Sequence, residues 1–288
     1  MSDSLLPQQP APVTPKQAAL TERYLWPAEP ELMQTFLALR RQADAVLAPR
    51  FPMANGKPWP LGRCDVITQH VQGLLATALR KPDTPGLKAL SSFVLSGGVV
   101  RTIWGALREK YFQNAFQFGS IYLDVSNDTV DTKKPPVEIL PLAEAQMAEI
   151  ADPAHFVRIA SSYWGAAAYA NHVIPSLAPV LPIITVVPGQ VPTLQSACDY
   201  MIDKFRRDGF ASSEAWLAEA EAPPDDVIEA LRSQTPAAMR PADPAAGRSL
   251  ALEACRAARA ANRQHDVTWR DSRVLDYLKI RPGAAAGA

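Results

Sequence analysis

Only three cysteines occur in 288 residues, Cys64, Cys198 and Cys255, and no two stand at CxxC spacing. So odd and dispersed a set argues against a disulfide framework and a structural zinc site, and it fits a reducing, cytoplasmic setting. Histidine is equally scarce. His70, His155, His172 and His265 form no HxH, HxD, HxE or HExxH, so neither a facial triad nor a zincin helix is signalled. No metal or cofactor is expected. Net charge is also missing, with Lys+Arg and Asp+Glu at 29 each. No global field therefore recruits nucleic acid or an anionic membrane. The longest apolar stretch, Val173 to Val187, is about fifteen residues and carries Pro175, Pro179 and Pro182. A spanning helix needs roughly 20 residues, so this reads as a buried, extended, proline-stiffened segment ending in a strand at Ile183 to Val187. Nor is there a basic, apolar leader at the N-terminus, and a secretory signal is not expected.

What is present is helical periodicity. Glycine is sparse at 14 against 27 prolines, so stiff, proline-punctuated connections are expected. Leu32, Phe36, Leu39, Ala43 and Val46 recur at helical spacing up to Pro49. A second helix is predicted from Gly62 to Arg80, after which Pro82, Pro85 and Gly86 break the chain. Val100, Ile103, Trp104, Leu107 and Tyr111 predict a third. Asp152-Pro153 caps and opens another, and Leu194 to Phe205 supply one more. Between these, Ile121, Leu123 and Val125 alternate with Tyr122, Asp124 and Ser126, the period of a strand, and Val137 to Leu140 is its partner across a polar loop. The expected class is α+β: a mainly helical core with a small antiparallel sheet, plus a helical C-terminal segment. Residues 1–22 read as a disordered tail and 23–212 as the core. An acidic helix and a Pro/Ala linker follow over 213–246, then a basic helical segment over 247–288, and their opposite charges fit either docking of one on the other or two solvated faces.

Chemistry-bearing residues concentrate in two places. Cys64 stands just inside a predicted helix start, next to Arg63, where a helix N-terminus and a guanidinium favour thiolate. The same thiol shares a helical face with Ile67 and Val71, and the stronger reading is a core position, since free cysteine is commonly buried and inert. Gln113, Asn114, Tyr122 and Asp124 gather amides, a phenol and a carboxylate around one strand, and a carboxylate on its second face needs partners if helices cover both faces. Ser96-Gly97-Gly98, ahead of Arg101, reads as a tight turn with a lesser capacity to cradle an anion. Candidate catalytic residues are Cys64, Asn114 and Asp124; candidate ligand-binding residues are Arg63, Arg101 and Tyr122.

The order of these parts, a helix-start cysteine followed by GGVVRTIWG and a strand bearing acids, resembles the papain-like transglutaminase core over about Gly62 to Asp131. That resemblance implies a thiol nucleophile, a histidine on the next strand and an aspartate on the one after. No histidine lies between His70 and His155, and Asn114 or Gln113 occupies the base position. An amide takes no proton from a thiol. Two functions follow. The first is a non-catalytic cytoplasmic accessory protein that binds a protein or peptide partner. The second is a cysteine-dependent acyl-transfer or amide-hydrolysing enzyme that lacks the usual histidine.

Overall fold

A computed structural model of the chain describes residues 8–54, 56–195, 199–241 and 243–280. They divide into two units, Met1–Glu149 and Ile150–Ala288. The class is α+β, as expected. The division falls inside the segment read as one core over 23–212.

Among its described residues unit 1 has five α-helices, the last a single turn, and an antiparallel sheet. Helix α1 (Pro15–Tyr24) starts where Thr14 accepts a hydrogen bond from the Gln17 amide and Pro15 takes the first helical position. Helix α2 (Glu29–Leu47) buries Leu32, Phe36, Leu39 and Ala43, the predicted stripe. A two-residue ribbon, β1 (Met53–Ala54) with β2 (Lys57–Pro58), leads to α3 (Cys64–Ala78). The break expected at Pro82, Pro85 and Gly86 gives way at once to helix α4 (Pro85–Leu95). Thr84 caps it and Pro85 is its first residue, where a missing amide costs nothing. Gly86 is required at its start, since a Cβ there would meet the Glu31 carbonyl oxygen of α2 at 2.5 Å.

The stretch Val100 to Tyr111, expected as a helix, is extended instead. It forms strand β3 (Val100–Leu107), a tight turn, and the start of β4 (Tyr111–Phe118). Both faces of this sheet are covered, so apolar residues fall at odd and even positions and the strand alternation is lost. The turn gives no glycine signal either: Arg108 and Glu109 themselves adopt φ of 54° and 56°. Arg101 and the Ser96-Gly97-Gly98 turn thus belong to a strand and its approach. Strands β5 (Ile121–Asp124) and β6 (Glu138–Pro141) pair as predicted, Asp124 opposite Glu138. Helix α5 (Leu142–Ala145) and β7 (Met147–Ala148) complete the sheet in the order β6-β5-β4-β3-β7.

The two faces of the sheet differ. Phe116, Phe118, Ile121, Leu123 and Val125 pack on α2, α3 and α4. Ile103, Ala115 and Tyr122 face the other way, onto Ala145 and Met147. The described part of the predicted tail is ordered against this sheet. Gln8 exchanges backbone hydrogen bonds with Thr102 and Trp104 at 2.9 Å, and Gln117 holds both backbone groups of Ala11.

Unit 2 contains α6 (Pro153–Trp164), opened by the Asp152 cap as predicted, and a three-stranded sheet of β8 (Ala167–Ala170), β9 (Ile183–Val186) and β10 (Thr193–Leu194). Between β8 and β9 the chain is buried but turned rather than extended. Asn171 staples this loop, accepting from the Ile174 amide and donating to the Leu181 carbonyl. Helices α7 (Asp199–Arg207), α8 (Ala211–Glu219), α9 (Asp225–Gln234), α10 (Gly247–Ala260) and α11 (Val267–Leu278) follow. Leu194, predicted as helical, pairs instead with Ile184, and the Ala197 and Cys198 positions of that prediction lie outside the described residues. The basic segment docks on the acidic one: Arg256 and Arg259 of α10 grip the two oxygens of Glu214 on α8 at 2.7 and 2.8 Å. Among the described residues no helix is long and apolar enough to cross a membrane.

Candidate functional site

Cys64 is the first residue of α3, as its sequence context predicts. Asn114, at the middle of β4, points to the same side of the sheet as Phe116 and Phe118. Its Nδ2 donates to the Cys64 sulfur at 3.6 Å. One turn along the helix, Thr68 donates its hydroxyl to the Asn114 carbonyl at 3.2 Å, which fixes α3 against β4. The residue Cys64 is half-buried. Burial pushes its thiol up to about 11, and the neighbouring Asp65 charge adds to that. Arg63 does not counter it: the guanidinium turns back on its own loop and donates to the Gly62 and Leu61 carbonyls. The helix N-terminus and the arginine, both favourable to thiolate, are outweighed.

Asp124 lies on the opposite face of the sheet from Cys64 and Asn114, with 0 % exposure. Ser126 donates its amide and hydroxyl to Oδ1 at 2.7 and 2.9 Å, and Gln113 and Tyr122 donate to Oδ2 at 2.7 and 3.0 Å. Four donors favour the carboxylate, but burial dominates and pushes it up to about 6. Burial likewise raises Tyr122, with the Asp124 charge as the second cause. Gln113 also donates to the Ser126 carbonyl and hydroxyl at 3.1 Å. Ser126 joins the two faces: its hydroxyl lies 3.4 Å from the Asn114 carbonyl and from the Thr68 hydroxyl. The three candidate catalytic residues therefore share one neighbourhood without forming a relay, since no side chain of Asp124 reaches Asn114 among the described contacts. Arg101 shares a face of the sheet with Gln113 and Asp124, opposite Gln117 on β4.

The polar loop after β5 is held by a residue that sequence reasoning passed over. Arg40, on the buried face of α2 with 2 % exposure, makes a two-pronged pair with Asp128 at 2.8 and 3.0 Å. It also donates to Asp44 and to the Val125 carbonyl at 2.8 and 2.7 Å. Burial opposes its charge, but the Asp128 and Asp44 bonds outweigh that and hold its proton above the ordinary guanidinium range. The Gly62 amide, donating to Thr129, ties the Cys64 loop to the same turn at 2.9 Å. An arginine at a core position of a helical stripe was the signal: it needs an acid in the interior. Thr68 and Ser126 carried no such signal, being small polar residues common anywhere.

Among the described residues, no three histidine, cysteine or acidic side chains converge as metal ligands. Cys255 is buried in α10, its thiol pushed up to about 12 by burial and then by Glu214. Comparison with protein-family models, curated proteins and solved structures finds no match to this chain.

Proposed function

We propose that this chain is a non-catalytic, cytoplasmic accessory protein that binds a protein or peptide partner. The observation carrying this reading is the group paired with the thiol. An amide nitrogen donates to the Cys64 sulfur where a nucleophilic cysteine needs a proton acceptor. His70 is the only histidine in unit 1, and it stands on α3 itself, six residues after Cys64. What supports a peptide-type partner is β6, an outer strand of the sheet, beside a shallow depression that includes Val13, Trp26 and Leu142. Peptides selected from a random displayed library should then lose binding to Leu142→Glu. Binders indifferent to that change, or none at all, contradict the partner class.

The catalytic reading is tested by the rate of Cys64 alkylation against pH, resolved by mass spectrometry with Cys64→Ala as the blank. The proposal expects a thiol that gains reactivity only above the ordinary cysteine range of about 8.5. A plateau reached below neutral pH would instead support the second reading, an acyl-transfer or amide-hydrolysing enzyme. That reading draws on the position of Cys64 at the start of α3, within reach of the Asn114 amide as a donor to a developing oxyanion.

A further inference from the structure

Unit 2 holds a cavity of about 260 Å³ whose polar lining is His172, Arg232 and Arg248. Val173, Ile228 and Pro244 contribute apolar walls, and among the described residues no carboxylate lines it. The sequence brings these groups together in a traceable way. Gly247 begins α10 against the His172 backbone, where a Cβ would sit 2.3 Å from the His172 carbonyl oxygen. The next residue, Arg248, is thereby set beside His172. Its guanidinium donates to the Ala218 and Ala220 carbonyls at the end of α8, at 2.6 and 2.8 Å. Those bonds fix its position without cancelling its charge. Arg232 comes from the last turn of α9. Among the described residues neither arginine is ion-paired with a carboxylate, whereas Arg256 and Arg259 in the same unit both are. His172 Nε2 lies 3.1 Å from the Leu217 carbonyl oxygen, and donation there puts the ring proton on Nε2. Burial holds the ring below its ordinary range, so it is neutral and its Nδ1 carries a lone pair.

Two cations without carboxylate partners, a neutral acceptor and apolar walls define a complementary ligand. We propose that this cavity binds a small organic carboxylate, its charge held by Arg232 and Arg248 and its short apolar body lying against Val173, Ile228 and Pro244. A hydroxyl on the ligand suits the acceptor at His172. This site belongs to unit 2, and the proposal does not rest on the reading of Cys64 in unit 1.

The probe is 2-hydroxybutyrate, with 2-hydroxybutyramide as the uncharged control, followed by ligand-observed NMR on the full chain. Saturable binding of the acid is expected below about 100 mM, since so few atoms support only weak affinity. The amide should bind at least about tenfold more weakly, and Arg232→Gln should lose about tenfold or more in affinity for the acid. Arg232→Lys, which keeps the charge, should retain part of it and serves if the glutamine variant does not fold. No saturation by the acid, equal binding of the amide, or unchanged affinity in Arg232→Gln would each overturn the proposal.

Discussion

The two units handle charge in opposite ways. In unit 1 the decisive ionic groups are interior: Arg40 is 2 % exposed, Asp124 is wholly buried, and every bond each makes is short and convergent. In unit 2 the conspicuous pairs are at the surface, with Arg256 66 % exposed where it meets Glu214. Interior charges cannot fall back on water, so they fix geometry and make the fold sensitive to their loss. Surface pairs guide the docking of α10 on α8 and contribute little beyond that. The same contrast explains the candidate site. A polar cluster around Asp124 invites a catalytic reading, yet its donors are all spent on one another within the sheet.

The largest effect should come from the buried cation. Arg40→Ala leaves Asp128 unpaired beneath the loop after β5 and is expected to destabilise unit 1 by about 3–5 kcal/mol in urea unfolding. The double change Arg40→Met with Asp128→Leu should recover much of that loss. If the double variant is no better than the single, the cost lies in packing and the contrast with unit 2 weakens.

Next comes the pH dependence of Asp124. Its folded pKa of about 6 lies above the 3.8 of an ordinary aspartate, so the folded state holds the proton more tightly. Stability from this group is fully present at acidic pH and is lost as pH rises through about 6. Between about pH 5 and pH 8 the loss should be about 1–2 kcal/mol. Thermal and urea melts of Asp124→Asn across that range should show this component of the slope removed. A variant with the same pH slope as the parent chain would show that the four donors already keep Asp124 ionised.

The smallest effect belongs to the surface clamp. The Arg256 bond, with Arg259 beside it, holds the Glu214 carboxyl below the ordinary carboxylate range against a smaller opposing effect of burial. Glu214→Ala should nevertheless change stability by less than about 1 kcal/mol, and salt should erase most of the difference. A larger loss would mean that the clamp, and not the packing of α10, holds the C-terminal helices in place.

How much of this was legible in the sequence depended on whether an element kept one wet face. Helix α2 did, and its stripe of Leu32, Phe36, Leu39 and Ala43 was read correctly, although Val46 in that stripe is exposed. Strand β3 did not: Val100, Thr102, Ile103 and Ala106 are buried on both sides, and the residues mimic a helical stripe. Pro85 reads as a breaker because a proline at the first helical position and one in an interior look alike without the Thr84 cap. For the site, Cys64 at a helix start and the need of Asp124 for partners were both legible. The opposite facing of Asn114 and Asp124 follows from strand register, which depends on where β4 begins, and the misread helix hid that.

The central claim is that the amide at position 114 stands where a base would have to be for Cys64 to act as a nucleophile. Asn114→His tests it directly by placing an imidazole next to the sulfur. The account predicts that Cys64 in this variant alkylates faster near neutral pH than in the parent chain, with its reactivity rising at lower pH, while Cys64→Ala removes the signal. A parent chain whose Cys64 is already the more reactive, or a histidine variant with an unchanged pH profile, would contradict it.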